Sequence, residues 1–432
     1  MKSNLTHDCD VLIIGAGPAG TAAATILAGE QGRKVIVLEK EHFPRYHVGE
    51  SLIPHCWDTL DRLGMTSRLS EKGFQVKESV QFVSPEGELS APFYFSQHTD
   101  HPRAKTWQVD RETFDTMMME RAREAGAEVR EGIKVLDFLE EDGAVVGVIA
   151  EDEEGRRFEL RASMTMDASG RDALFQRKKK WRKRDPKLNK IAIWTLYKGA
   201  KRDPGVDEGA TTIAYVKEKG WFWNIPLKDD IVSTGIVAER DYLYRDGRDL
   251  AEIYEREIKE NKWVEEHLSE GEQFGEYWVT GEYSYRAENC ATDGLVLIGD
   301  AFAFLDPVFS SGVYLALTTG SMAADEVGRA LDAGDTSAEQ FRQYGERVCQ
   351  GIEWMRKLVY AFYDEDFSFK DVVSRYAEVR RDLTDCLIGD LMDKDYHELF
   401  QRVGEFADLP EELPHGKTVH EVEKASLEMA VG

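Results

Sequence analysis

The chain has 432 residues, 42% of them hydrophobic, which is more than one ordinary domain needs and enough for two or three subdomains with a real core. With 55 Lys and Arg against 81 Asp and Glu, the net charge of −26 argues against non-specific binding to nucleic acid or to an anionic membrane. No run of 18 apolar residues occurs, so no membrane span is expected. The cysteines at 9, 56, 290, 349 and 386 have no C-x-x-C spacing, so neither a disulfide framework nor a metal site is expected. Residues 1–9 are short and polar and read as no secretory signal, which makes the cytoplasm the expected location.

Residues 10–14 (DVLII) form a short apolar run that reads as a buried parallel strand. Gly15-Ala16-Gly17-Pro18-Ala19-Gly20 follows, then a helix of small residues over 21–28 and a second strand over 34–39. The glycines therefore sit at the strand-to-helix turn of a β-α-β unit. Gly15 permits the tight turn, Gly17 lets backbone approach a pyrophosphate, and Gly20 lets helix and strand pack closely. The helix N-terminus turns N–H groups and a partial positive charge toward the phosphates. Glu39 ends the second strand about 20 residues on, where a carboxylate can accept hydrogen bonds from ribose hydroxyls. Strand, helix and acid in register predict a dinucleotide site.

Further along, a helix is expected over 54–69 and strands over 76–83 and 107–109. Asp110 can cap a helix over 111–125, whose Phe114, Met117, Met118 and Ala122 share one face. Two strands with a turn at Asp142-Gly143 follow, then a strand at 164–168. Residues 177–184 (RKKKWRKR) are basic except for Trp181, and read as a solvated loop or as a docking patch for an acidic partner or phosphate groups. Strand-like runs lie at 191–197, 211–216 and 231–238, a helix at 248–268, and an apolar strand at 295–298. After Gly312 the pattern is mostly helical, and past Leu409 little core material remains.

Three segments carry a resemblance. Leu297-Ile298-Gly299-Asp300-Ala301 resembles the second flavin motif of the p-hydroxybenzoate-hydroxylase fold, Asp167-Ala168-Ser169-Gly170 its D-G-type segment, and Val109-Asp110-Arg111-x-x-Phe114-Asp115 its arginine-bearing helix start. The resemblance covers most of residues 8–330. It implies an α/β fold with FAD as cofactor: a Rossmann-like FAD-binding domain assembled from 1–80, 106–190 and 286–335. A β-sheet-rich substrate domain from 81–105 and 191–285 and a mostly helical C-terminal region over 336–432 complete it. The cofactor contacts implied are Gly15, Gly17, Ala19, Gly20, Glu39, Arg45, Ser51, Arg111, Asp300 and Val313, with backbone near Val135 holding the adenine.

Further motifs narrow the resemblance to flavin-dependent halogenases. Gly220-Trp221-Phe222-Trp223-Asn224-Ile225-Pro226 matches their W-x-W-x-I-P motif. Phe304-x-x-Pro307-x-x-Ser310-x-Gly312 matches a second signature, and the segment from Phe43 to Ser51 resembles the one that follows their second strand. Lys77 lies where the family carries its catalytic lysine, although Glu78-Ser79-Val80 follows where small residues are usual. The resemblance implies that reduced FAD from a separate NAD(P)H:flavin reductase, oxygen and chloride or bromide yield hypohalous acid, which Lys77 aims at an electron-rich ring. Backbone at Ser311 and Gly312 would bind the halide, and Trp221 and Trp223 would keep organic substrate from the flavin. Phe309 stands where tryptophan halogenases carry a glutamate. The sequence is therefore similar to the branch that acts on phenols, pyrroles and other rings, some tethered to carrier proteins.

The residues also have plainer readings: a surface lysine on a strand, core tryptophans, a helix N-cap at Ser310 or Ser311. Burial would lower the lysine pKa and make a neutral amine available. Alternatives on the same fold are an aromatic monooxygenase, a geranylgeranyl-reductase-like oxidoreductase, and a flavoprotein without turnover. Lys77 and the tryptophan pair weigh against the last two. No second glycine-rich fingerprint for NADPH is present.

Overall fold

The computed structural model describes residues 7–216, 220–281, 284–365 and 367–416. Cys9–Ile14 is apolar and buried on both faces, and it pairs in parallel with Val35–Leu38 on one side and Arg157–Asp167 on the other. Leu295–Leu297 and Glu128–Arg130 extend the sheet outward. The register sets Ile14 beside Leu38 and Asp167, and Asp167 beside Leu297. Gly15, Glu39, Ala168 and Ile298 therefore leave the sheet at one common edge, the carboxyl edge where ligands of open α/β sheets bind. The helix Pro18–Thr25 packs against Ser311–Ala333 over this sheet.

A second sheet of seven strands runs Glu272–Gly281, Lys190–Lys198, Ile231–Glu239, Gly220–Pro226, Thr211–Val216, Ser79–Val83, Phe93–Tyr94. One face turns Trp194, Trp221, Trp223 and Trp278 toward the carboxyl edge of the first sheet. The other packs Ile193, Phe222 and Ile236 under the helices Leu250–Ile258 and Lys262–Leu268. Beyond the long helix Ser311–Ala333 the described chain is helical, led by Arg342–Phe362. Among the described residues no helix is long and apolar enough to cross a membrane.

Several sequence expectations change. The run 76–83 is two strands, Gln75–Lys77 and Ser79–Val83, which separate at Glu78 and join different sheets. Gln75–Lys77 pairs with Thr106–Gln108, and Ser79–Val83 with Thr211–Val216. The helix expected over 54–69 breaks at Gly64 (φ 71°) into Cys56–Arg62 and Thr66–Lys72. That over 248–268 breaks before Asn261, whose side chain accepts from Trp263 N and Val264 N and starts a second helix. Glu272–Gly281 was not legible as a strand, because its acids and glycines hide the alternation. The cap at Asp110 is present, with Thr113 N donating to Oδ1 at 2.9 Å. Asp142 and Gly143, both at positive φ, close the hairpin between Lys134–Glu141 and Ala144–Glu151.

The basic run forms the end of Leu174–Lys179 and the strand Arg182–Arg184. Lys178 pairs with Asp137 and Glu140, Lys179 with Glu140, and Lys183 with Glu288, so neighbouring carboxylates neutralise much of it. The stretch past Leu409 is held more firmly than its composition indicates. Arg286 donates to Leu413 O and Gly416 N to Glu288 O, each at 2.8 Å. Residues 417–432 lie outside the described part.

Candidate active site

The three glycines of the first turn do different work. A Cβ on Gly15 (φ 102°) would stand 2.4 Å from Ala168 O, and one on Gly20 would stand 2.0 Å from Gly15 O. These two serve the packing of helix on sheet. At Gly17 the first atom met is Arg45 Nη2 at 3.8 Å, so its space opens into the cleft. Glu39 locks the turn from behind: its carboxylate accepts from Ala16 N at 2.8 Å and Glu41 N at 3.0 Å.

The cleft, of about 530 Å³, runs from Gly17, Ala19, Glu39 and Val135 to Trp221, Gly312 and Val313. Arg111 Nε and Nη2 bind both oxygens of Asp115, at 2.7 and 2.8 Å, and Nη1 donates to Val48 O at 3.1 Å. This holds the segment 43–51 over the cleft. Arg45 Nη1, buried and 3.4 Å from Asp115 Oδ2, makes no hydrogen bond among the described residues. Burial pushes the Asp300 carboxyl up to about 6, while Arg171 and Arg111 pull it back. An elongated cleft with a glycine-walled opening at a helix N-terminus and an arginine nitrogen to spare fits FAD. Of the expected contacts, Gly20 is absent from the cleft wall.

At the far end, Asp306 Oδ1 accepts from Val308 N at 3.1 Å and starts the tight turn Pro307–Phe309. Ser310 follows in the left-handed region (φ 55°), unusual for a residue with a Cβ. Ser311–Ala333 then begins with no side-chain cap, which leaves its first N–H groups for another partner. Ser310, Gly312 and Val313 line the cleft. Ser311 does not: it is fully buried, and its Oγ has no hydrogen-bond partner among the described residues.

Trp221 and Trp223 alternate along one strand and so face the cleft together, while Phe222 faces the opposite core. Trp221 Nε1 donates to Tyr363 OH at 2.8 Å and Trp223 Nε1 to Ser233 Oγ at 3.2 Å. A Cβ on Gly235 would run into the Trp223 ring at 2.4 Å, so a glycine is needed opposite it. Trp194 and Trp278, opposite each other across strands, extend the wall, and Tyr46 stacks on Trp278 at 4.4 Å. These residues were not singled out from sequence, since only strand pairing brings them to Trp223. Phe309 packs edge-on to Phe362 and Phe369 in an aromatic setting.

Lys77 ends its short strand just before the chain switches sheets, and it is 1% exposed. Its Nζ donates to Ser51 Oγ at 2.8 Å and lies 5.7 Å from the Phe95 ring centre. No carboxylate pairs with it among the described residues. Burial lowers its pKa to about 7, against a small opposing effect of Cys56. The cleft wall here is Ser51 and Thr211, and Lys77 stands behind them. Ser51, expected as a cofactor contact, spends its hydroxyl on Lys77 and Thr211.

The chain matches the family model for tryptophan halogenase over residues 10–101 and 96–373. It is 33% identical over 379 residues to a 1H-pyrrole-2-carbonyl-[peptidyl-carrier protein] brominase of Pseudoalteromonas luteoviolacea, covering 85% of this chain and 90% of the relative. A 1H-pyrrole-2-carbonyl-[peptidyl-carrier protein] chlorinase of Pseudomonas fluorescens is 31% identical over 425 residues, 92% of this chain and 93% of the relative. Among solved structures, the flavin-dependent brominase Bmp2 superposes with TM-score 0.82 at 27% identity, covering 98% of this chain and all (100%) of that one. The myxobacterial chondrochloren halogenase CndH superposes with TM-score 0.77 at 28% identity, covering 93% and 96%. With a cleft that fits FAD and a family match over most of its length, the chain belongs to the tryptophan halogenase family and is a flavin-dependent halogenase.

Proposed function

We propose that this halogenase uses Lys77 to receive the oxidised halogen and deliver it to an electron-rich aromatic ring presented on a carrier protein. One observation carries the reading: a lysine 1% exposed, without a carboxylate partner among the described residues, hydrogen-bonded to a serine of the cofactor cleft. An unpaired buried ammonium costs several kcal/mol, so a merely structural lysine gains nothing from this place. FAD would be held by Gly17, Ala19, Glu39, Arg45, Arg111, Asp300, Val135 and Val313. When bound in its reduced form it supplies, with oxygen, the oxidising equivalent that turns halide into hypohalous acid. Of the two residues expected to hold the halide, Ser311 turns away from the cleft, and the N–H of Gly312, which lines it at an uncapped helix start, would hold the halide. Trp221 and Trp223 wall the ring substrate from the flavin. A separate flavin reductase would supply the reduced cofactor, and the cytoplasm is the proposed location.

The carrier-bound substrate is supported by the two relatives named for a pyrrole on a peptidyl carrier protein, each covered over at least 90% of its length. The test supplies FAD, a flavin reductase, NADH, oxygen and bromide or chloride with carrier-bound and free pyrroles and phenols, and reads halogen isotope patterns by mass spectrometry. Lys77→Ala should keep FAD binding and oxygen consumption but lose product by at least ~10²-fold. Lys77→Arg should fail too, because a guanidinium stays protonated and presents a planar fork. Near-normal halogenation by Lys77→Ala would remove the lysine from the reaction.

A further inference from the structure

Ser51 stands between the cofactor cleft and Lys77. Its backbone bridges to Gln108, which seats it against the strand Thr106–Gln108. Its Oγ accepts from Lys77 Nζ at 2.8 Å and lies 2.8 Å from Thr211 Oγ1. Gln108 Nε2 donates to Thr211 Oγ1 at 2.9 Å and to Gly209 O at 3.0 Å. Ser51 and Thr211 line the cleft; Lys77 and Gln108 do not. All four are buried, Ser51 the most open at 5% exposure.

The donors at its two ends, Lys77 and Gln108, limit how this chain can run. Both protons of Gln108 Nε2 are in use, one of them on Thr211 Oγ1. Thr211 therefore accepts from Gln108, and its own proton and second lone pair let it stand toward Ser51 as donor or as acceptor. Protonated Lys77 also donates to Ser51. In the arrangement in which Thr211 donates, Ser51 Oγ accepts from both, and its own proton is free for the cleft. When Lys77 is neutral, the same hydroxyl can turn its proton onto Nζ, since a serine has one proton and two lone pairs.

Burial brings the Lys77 pKa to about 7, so ammonium and amine are both populated near neutrality. A lysine sealed from water at 1% exposure needs a route by which to exchange that proton. The titratable group facing Lys77 is the Cys56 thiol, from the helix Cys56–Arg62, which burial pushes up to about 12 and so keeps neutral. Phe95, Thr106 opposite it on the paired strand, and Ser51 do not titrate, and the adjacent Glu78 pairs with Lys105. The Glu50 carboxyl beside Ser51 accepts from Gly49 N and is bonded by Ser233, on the cleft side.

We propose that Ser51, held by Thr211 and Gln108, is the positioning residue that aims Lys77 at the cleft and through which Lys77 exchanges its proton with cleft water. In the exchange Ser51 Oγ takes a proton from Nζ as its own hydroxyl proton passes to water, so the serine ends as it began. The inference rests on the proposed role of Lys77.

The test uses the full chain with 13C-labelled lysine and follows the Lys77 Cε shift against pH. Wild type, Ser51→Ala and Ser51→Thr are compared, with halogenated product counted per flavin oxidised so that any change in cofactor affinity drops out. Ser51→Ala removes the acceptor of the ammonium, so Lys77 should titrate lower by about one pH unit. Product per flavin should fall at least about tenfold. Ser51→Thr keeps a hydroxyl and should restore both. An unshifted Lys77 in Ser51→Ala overturns the proposal, as does a shift that leaves product unchanged. Lys77→Ala separates the two readings: if it halogenates normally, the lysine has no catalytic task and the relay falls with it. If Lys77→Ala is inactive while Ser51→Ala is unaffected, the relay alone falls.

Discussion

A side chain at Gly17 would meet only Arg45 Nη2 at 3.8 Å, whereas one at Gly15 or Gly20 would strike a backbone carbonyl at 2.4 or 2.0 Å. The glycines should therefore fail differently. Gly17→Val is expected to fold with an unchanged melting temperature and to lose FAD binding in a fluorescence titration, because it fills the opening toward the pyrophosphate. Gly20→Ala should lose stability first. Normal FAD affinity in Gly17→Val would take this turn out of the cofactor site. Lys77 gives a pH-dependent expectation. Its folded pKa of about 7 lies below the ordinary 10.5, so between those values the unfolded chain binds more protons at this site. The burden of the buried ammonium is thus present in full below about pH 7 and is relieved as pH rises toward 10. Lys77→Met should melt above wild type by a margin that is largest near pH 6 and shrinks toward pH 10. A margin independent of pH would mean that Lys77 does not titrate in this window.

Single hydroxyls also join whole elements. Tyr363 OH, just past the helix Arg342–Phe362, accepts from Trp221 Nε1 at 2.8 Å and donates to Asp306 Oδ2 at 2.9 Å. It links the C-terminal helices, the tryptophan strand and the turn that sets Ser310. Asp306 is fully buried, and burial pushes its carboxyl up to about 6 despite the bond from Tyr363. Tyr363→Phe should destabilise the protein by about 1–2 kcal/mol. It should also raise the halide KM several-fold at unchanged FAD affinity, because the turn before the helix N-terminus loses a brace. Halide titration of the turnover rate checks this, and an unchanged halide KM would mean that Pro307–Phe309 holds its shape without Tyr363.

At the scale of the molecule, a buried charge network ties the helix Arg342–Phe362 to the rest. Arg356 Nε meets Asp185 Oδ2 at 2.6 Å and its Nη1 meets Glu353 Oε2 at 3.0 Å, and Arg286 Nη1 meets Glu353 Oε1 at 3.0 Å. All four residues are buried. Asp185 follows the strand Arg182–Arg184 and Arg286 lies in Tyr285–Ala287, so three separate parts of the chain meet here. Removing one partner strands a buried charge, which is worse than never having placed the pair. Asp185→Ala should cost about 3–5 kcal/mol, read as a lower denaturation midpoint. A cost under about 1 kcal/mol would mean that water reaches Arg356.

What the sequence determined by itself was local: the strand, glycine turn and acid at the carboxyl edge of the first sheet, the cap at Asp110, the hairpin turn at Asp142-Gly143, and the motif that sets two tryptophans on one strand face. Each is set by neighbours a few residues apart, through backbone sterics, capping and alternation. The tertiary structure decided the rest. Lys77 is an ordinary lysine in its local sequence. It becomes a buried amine with a lowered pKa only because its strand ends at a sheet switch and Ser51, from 26 residues earlier, closes over it. Trp194 and Trp278 meet across paired strands, Tyr363 reaches Trp221 from 142 residues away, and Ser311 turns from the cleft although its neighbours line it. Burial and electrostatic environment are sums over everything that surrounds a group, and most of what surrounds these groups is distant along the chain.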